Sequence, residues 1–119
     1  LRFFSAAWQK DIFVEASDKI RFAVYPENKI NVIYLLNTDS GCSQQALVSA
    51  WENRNMSVTL EPGELKVAYC NERCLIVPSE TDCRITGISI EAGKPLFSTC
   101  HDSALNTGIC FIDGNEYKL

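Results

Sequence analysis

The chain reads as a mainly β protein of the α+β kind: an antiparallel β-sandwich or small barrel of about seven to nine short strands with one helix near residues 43–53. Three observations predict this. Apolar and polar residues alternate with a period of two through much of the chain, and Gly, Pro, Asn and Asp interrupt the runs at short intervals. All six cysteines lie between Cys42 and Cys110. An even number of cysteines at irregular spacing in a short chain suggests a framework, here of three disulfides across the second half. The 119 residues fit one secreted, disulfide-stabilised domain over 1–119, and a hydrophobic content of 46% supports a core that the disulfides reinforce rather than replace.

The elements follow in chain order. Leu1, Phe3, Phe4 and Trp8 make the opening residues too apolar for a free tail, so an edge strand or cover is expected there. Ile12, Val14 and Ala16 alternate with Phe13 and Glu15, and Ala16-Ser17-Asp18 supplies a turn. In Lys19 to Tyr25, Ile20, Phe22 and Val24 share one face, while Arg21, Ala23 and Tyr25 share the other. Pro26-Glu27-Asn28 then turns the chain into Lys29 to Leu36, whose apolar residues on both faces predict a central strand. Together these three strands are expected to form a meander.

Asn37-Thr38-Asp39-Ser40-Gly41 is rich in turn and cap residues and precedes the only helical pattern. Cys42, Ala46, Leu47, Ala50 and Trp51 would share one face of a helix over 43–53. Strand-like runs then follow at Ser57 to Leu60, Glu64 to Cys70, Cys74 to Val77, Arg84 to Ile90, Pro95 to Thr99 and Gly108 to Ile112, divided by Gly- and Pro-bearing turns.

The charge of -4 and pI near 4.9 argue against a nucleic-acid partner, which requires a basic face. No apolar run approaches the roughly 18 to 20 residues of a membrane-spanning helix, so no membrane insertion is expected. The chain opens on Leu1-Arg2-Phe3-Phe4 without an initiator methionine, as it would after removal of a signal peptide or pro-segment, or where a sequence simply starts there.

Six cysteines allow fifteen pairings. Loop length favours Cys74 with Cys83 and Cys100 with Cys110, each across a turn, leaving Cys42 with Cys70 to tie the helix to a strand. A zinc site is disfavoured, because Cys70 and Cys74 are the one ligand pair at suitable spacing and His101 is the single histidine. Three residues separate Cys70 from Cys74 where a redox dithiol motif has two. No cofactor is called for.

Other candidates are weighed against plainer roles. His101-Asp102-Ser103 holds triad residue types, but triad members meet in space rather than in sequence, and a polar loop is the better reading. Glu61 with Glu64, and Glu80 with Asp82, read as solvated turn carboxylates. Gly87 to Lys94 departs from a phosphate loop in spacing and in Pro95. Asp113-Gly114-Asn115 reads as a hairpin turn before it reads as part of a calcium site with Asn37, Asp39 and Ser40. Asn55-Met56-Ser57 is a glycosylation sequon, which agrees with passage through the secretory pathway. Tyr25 faces away from the buried set of its strand, and with Trp8 it is the best exposed-aromatic candidate for a binding surface.

In size, cysteine count, β pattern and acidity the chain resembles the small secreted cysteine-rich effectors that pathogens release, especially plant-infecting fungi. The resemblance covers no motif and carries over no functional residue. It implies an extracellular, non-enzymatic interaction protein, with virulence as its setting and a host or cell-surface protein as its partner. A carbohydrate- or small-ligand-binding β domain is the alternative, and a small secreted hydrolase ranks below both.

Overall fold

A computed structural model describes residues 2–5 as backbone, and residues 12–27, 29–51, 56–78, 84–100, 108–113 and 115–117. Within these the chain forms twelve strands: β1 (Arg2–Ser5), β2 (Ile12–Ala16), β3 (Ile20–Glu27), β4 (Ile30–Asn37), β5 (Gln44–Ala50), β6 (Met56–Leu60), β7 (Leu65–Cys70), β8 (Cys74–Pro78), β9 (Ile85–Glu91), β10 (Lys94–Thr99), β11 (Gly108–Ile112) and β12 (Asn115–Tyr117). All the pairings are antiparallel. The mainly β class therefore stands, with more strands than the sequence suggested.

The strands form a four-stranded sheet in the order β1-β2-β5-β6, a six-stranded sheet in the order β12-β11-β8-β7-β4-β3, and a separate two-stranded ribbon, β10-β9. The chain crosses between the two larger sheets at residues 17–19, 38–43 and 61–64. Because of the first crossing, β2 does not join β3 and β4 in a meander. Instead it pairs with β1 and β5, whereas β3 and β4 form the expected hairpin and β4 lies between β3 and β7.

The expected helix over 43–53 is not formed among the described residues, where β5 occupies Gln44–Ala50; residues 52 and 53 lie outside them. Ala46, Val48 and Ala50 alternate inward and are fully buried between β2 and β6. The Asp39 carboxylate accepts the amides of Gly41 at 2.9 Å and Cys42 at 3.2 Å, which is the chemistry of a helix N-cap, but here it shapes a turn into a strand. Period two and period 3.6 both fit the apolar residues of this segment. Two hydrogen-bonding neighbours decide for the strand.

Two cores result. The inner faces of the larger sheets enclose Ile12, Val14, Val24, Ile33, Leu35, Val48, Met56, Leu60 and Leu75, with Phe22, Trp51 and Phe111 packed against them. On the opposite face of the six-stranded sheet, Ile30, Val32, Tyr69, Cys74, Ile76, Cys110 and Ile112 pack under the ribbon through Ile85, Ile88, Ile90 and Phe97. Strand β8 is buried along its whole length and β4 along most of its length, which explains their unbroken apolar runs. A bulge opposite Ser98–Thr99 inserts one residue into β9, so that Ile85 and Ile88 both face the sheet despite their odd spacing.

The expected disulfide pairings are not formed: Cys42, Cys70, Cys74, Cys100 and Cys110 are all free thiols, and Cys83 lies outside the described residues. The physical reason is placement. Cys42 is exposed on a crossing loop while Cys70 points into the inner core, and Cys110 packs beside Cys74 rather than Cys100.

Candidate functional site

The candidate site is the part of the six-stranded sheet's outer face that the ribbon leaves bare. Cross-strand partners share a face, so the register arranges this face in rows: Arg21, Leu36 and Leu65; then Ala23, Tyr34 and Val67; then Tyr25, Val32, Tyr69, Ile76, Cys110 and Tyr117. The ribbon packs over the third row from Val32 onward. The first row has no such cover, and Leu36 and Leu65, directly opposite each other, are 38% and 46% exposed.

At the β3 edge Tyr25 is 56% exposed, and its ring meets that of half-buried Tyr34 edge to face, with centroids 5.8 Å apart and planes at 71°. Together Tyr25, Tyr34, Leu36 and Leu65 make an apolar strip across β3, β4 and β7. Exposed Arg21 flanks it at one end. At the other, Arg84 at the start of the ribbon donates to both Glu27 carboxylate oxygens at 2.6 and 2.7 Å, and that carboxylate raises the guanidinium pKa. An apolar centre with a charged rim is the general anatomy of a protein-binding patch.

The other candidates fall elsewhere. The Asp39 carboxylate also accepts Gln44 Nε2 at 3.1 Å, and the Gly41 amide leads the causes that lower its pKa. Its oxygens are thus committed to the loop. Asp113 forms a two-point ion pair with Arg73, at 2.7 and 3.1 Å, and this lowers its pKa. Glu64 accepts the Glu61 amide at 2.9 Å, so that pair caps the 61–64 turn. Among the described residues no cluster of three or more His, Cys, Asp or Glu side chains could hold a metal ion. Gly87 to Lys94 lies within the ribbon and its turn.

Trp8, Asn55, Glu80, Asp82, Cys83 and the His101-Asp102-Ser103 run lie outside the described residues. Of the remaining cysteines, Cys70 sits fully buried in the inner core, where burial pushes its thiol up to about 12. Sequence reasoning picked out Tyr25 but missed Leu36 and Leu65. The alternation of β4 marked Leu36 as apolar-facing, but nothing local could tell that its cover ends before it.

No protein-family model, curated protein or solved structure gives a significant match to this chain.

Proposed function

We propose that this chain is a secreted, non-enzymatic protein-binding domain of the effector-like kind, and that it docks a host or cell-surface protein on the strip formed by Tyr25, Tyr34, Leu36 and Leu65. One observation carries the reading: Tyr25, Leu36 and Leu65 are the exposed continuation of a sheet face that the ribbon otherwise buries, with half-buried Tyr34 joining them to the covered part. Contiguous exposed apolar area edged by charge favours a protein partner, because burying it against a complementary surface removes it from water at about 25 cal/mol per Å². Tyrosine adds a hydrogen-bonding tip at little entropic cost. The secretory setting rests on the Asn55 sequon; the cysteine count does not add to it, because the described cysteines are unpaired.

The Tyr25–Tyr34 pair also supports the second reading, a carbohydrate-binding surface. Protein is favoured over sugar because planes at 71° offer no shared flat platform for stacking on a pyranose. The hydrolase reading gains no support from this strip, which offers neither nucleophile nor base.

The test compares wild type with Leu65→Asp and Tyr25→Ala. A protein captured from cell-surface extract is purified and titrated against all three. Leu65→Asp should weaken binding at least about tenfold, as loss of an interface anchor does, and Tyr25→Ala by a similar factor. Equal affinity for the three proteins would remove the strip from the reading, while binding to a glycan array with no protein captured would favour the second one. Secretion is checked separately: a native protein confined to the cytosol of its source cells contradicts the localisation.

A further inference from the structure

We propose that Cys74 and Cys110 are an oxidisable pair that forms a single cross-strand disulfide between β8 and β11, beneath the ribbon. Their sulfur atoms lie 3.7 Å apart, already in contact, and both residues are fully buried in the outer core. The register explains the meeting. Cys74 pairs with Ile112 and Cys110 with Ile76, so the cysteines are diagonal neighbours on one face of adjacent strands.

A disulfide needs a sulfur separation of about 2.0 Å, so the pair must close by less than 2 Å. Cys74 is the first residue of β8, and Asn71 holds its amide at 2.8 Å and its carbonyl at 2.9 Å, so closure must shift these turn hydrogen bonds. Among the described residues, the competing cysteines are badly placed. Cys70 points into the inner core on the other face of the same sheet, Cys42 is exposed on a crossing loop, and Cys100 follows the end of β10, its amide donating to the Arg84 carbonyl.

The chemistry needs a two-electron oxidant of the small-molecule disulfide class, represented by oxidised glutathione. Cys110 loses its proton and its thiolate attacks one glutathione sulfur, breaking the glutathione S–S bond and releasing one glutathione thiolate, which takes up a proton. Cys74, deprotonated in turn, attacks Cys110 Sγ, forming the protein disulfide and expelling the second glutathione. Two protein thiols thereby lose two protons and two electrons, and oxidised glutathione becomes two reduced glutathiones. Either thiol can be the donor in their contact, so the step balances equally with Cys74 reacting first and Cys110 closing the link.

Closing the link would tie strands that stand 36 residues apart in sequence, with the whole ribbon inside the loop. The ribbon also covers the pair, so reaction in the folded protein requires it to lift. Oxidation during folding does not.

The protein is incubated folded in a glutathione redox buffer and, in parallel, refolded in that buffer from the reduced, denatured state. Free thiols are alkylated, and the chain is cut without reduction by trypsin and by a protease acting before Asp. Cuts after Arg73 and Arg84 and before Asp82 and Asp102 place Cys74, Cys83, Cys100 and Cys110 on four separate peptides. The expected result is a peptide joining Cys74 to Cys110 in the refolded sample, formed more slowly in the folded one. The oxidised protein should also melt about 10 °C or more above its reduced form. Cys74 and Cys110 both alkylated after refolding, or either joined to Cys83 or Cys100, would overturn the proposal. A Cys42→Ser, Cys70→Ala variant, which leaves the pair untouched, should still form the link.

Discussion

At the scale of single residues, Asn37 holds the two larger sheets together at one corner. It is the last residue of β4 and fully buried, and its Nδ2 group donates to the carbonyls of Cys42, Leu60 and Glu61 at 3.0, 3.1 and 3.2 Å. Its Oδ1 accepts the Asp39 amide at 2.9 Å. One side chain thus serves the end of β4, the crossing into β5 and the end of β6. Asn37→Ala should lower stability by about 2 to 3 kcal/mol, because buried backbone groups lose their partner. Asn37→Asp should cost more at neutral pH, since a carboxylate would face three carbonyl oxygens. Urea unfolding of both variants checks the order; equal stability of Asn37→Ala and wild type would contradict this role. Gly108 is fixed for a different reason: a Cβ there would lie 2.8 Å from the Val77 carbonyl oxygen, where β11 begins beside the end of β8.

At the scale of elements, the ribbon is the informative unit. Its backbone ladder is internal, and it reaches the sheet through apolar side chains, the Arg84–Glu27 ion pair and a 3.4 Å hydrogen bond from Asn71 to the Ile88 carbonyl. Its tip is a two-residue turn between Glu91 and Lys94, with Ala92 at φ 51° and Gly93 at φ 76°. That is the type I′ pattern, for which asparagine at the first position suits the left-handed backbone and alanine does not. Ala92→Asn should therefore raise stability by about 0.5 to 1 kcal/mol, seen as a higher denaturant midpoint at unchanged slope. The same reasoning explains why β9 and β10 were legible in sequence: Glu91-Ala92-Gly93-Lys94 reads as a turn between two alternating runs. Strand β5 was not legible, because its entry loop carries helix-cap chemistry at Asp39 and its apolar residues satisfy both periods.

At the scale of the whole molecule, exposed loops join the layers, and their carboxylates set the response to acid. Hydrogen bonds from backbone amides hold the pKa of Asp39 below its ordinary 3.8 on the crossing between sheets, and the Arg73 guanidinium does the same for Asp113, joining the β7–β8 turn to the end of β11. A carboxylate whose folded pKa is depressed adds stability that is fully present above the unfolded value and lost as pH falls through the folded one. Stability should thus hold above about pH 4 and decline below it, with a shallower decline in Asp39→Asn. Thermal melts from pH 6 to pH 2 check this, and an identical acid slope in the variant would remove Asp39 from the account. Exposure and salt screening keep each such contribution modest.

The sequence by itself determined which residues extend, where most turns fall and which side chains share a face, because alternation and turn chemistry act between near neighbours in the chain. It placed Tyr25 on the face away from the inner core, and Ile30 to Leu36 in a central strand. The tertiary structure alone decided that β2 leaves β3 for the other sheet, that residues 44–50 extend instead of coiling, that Cys110 meets Cys74 rather than Cys100, and that Leu36 and Leu65 stay uncovered. Each of these depends on pairing or cover supplied by residues distant in sequence. A local pattern can fix the face on which a side chain lies, but not whether another layer reaches far enough to bury it.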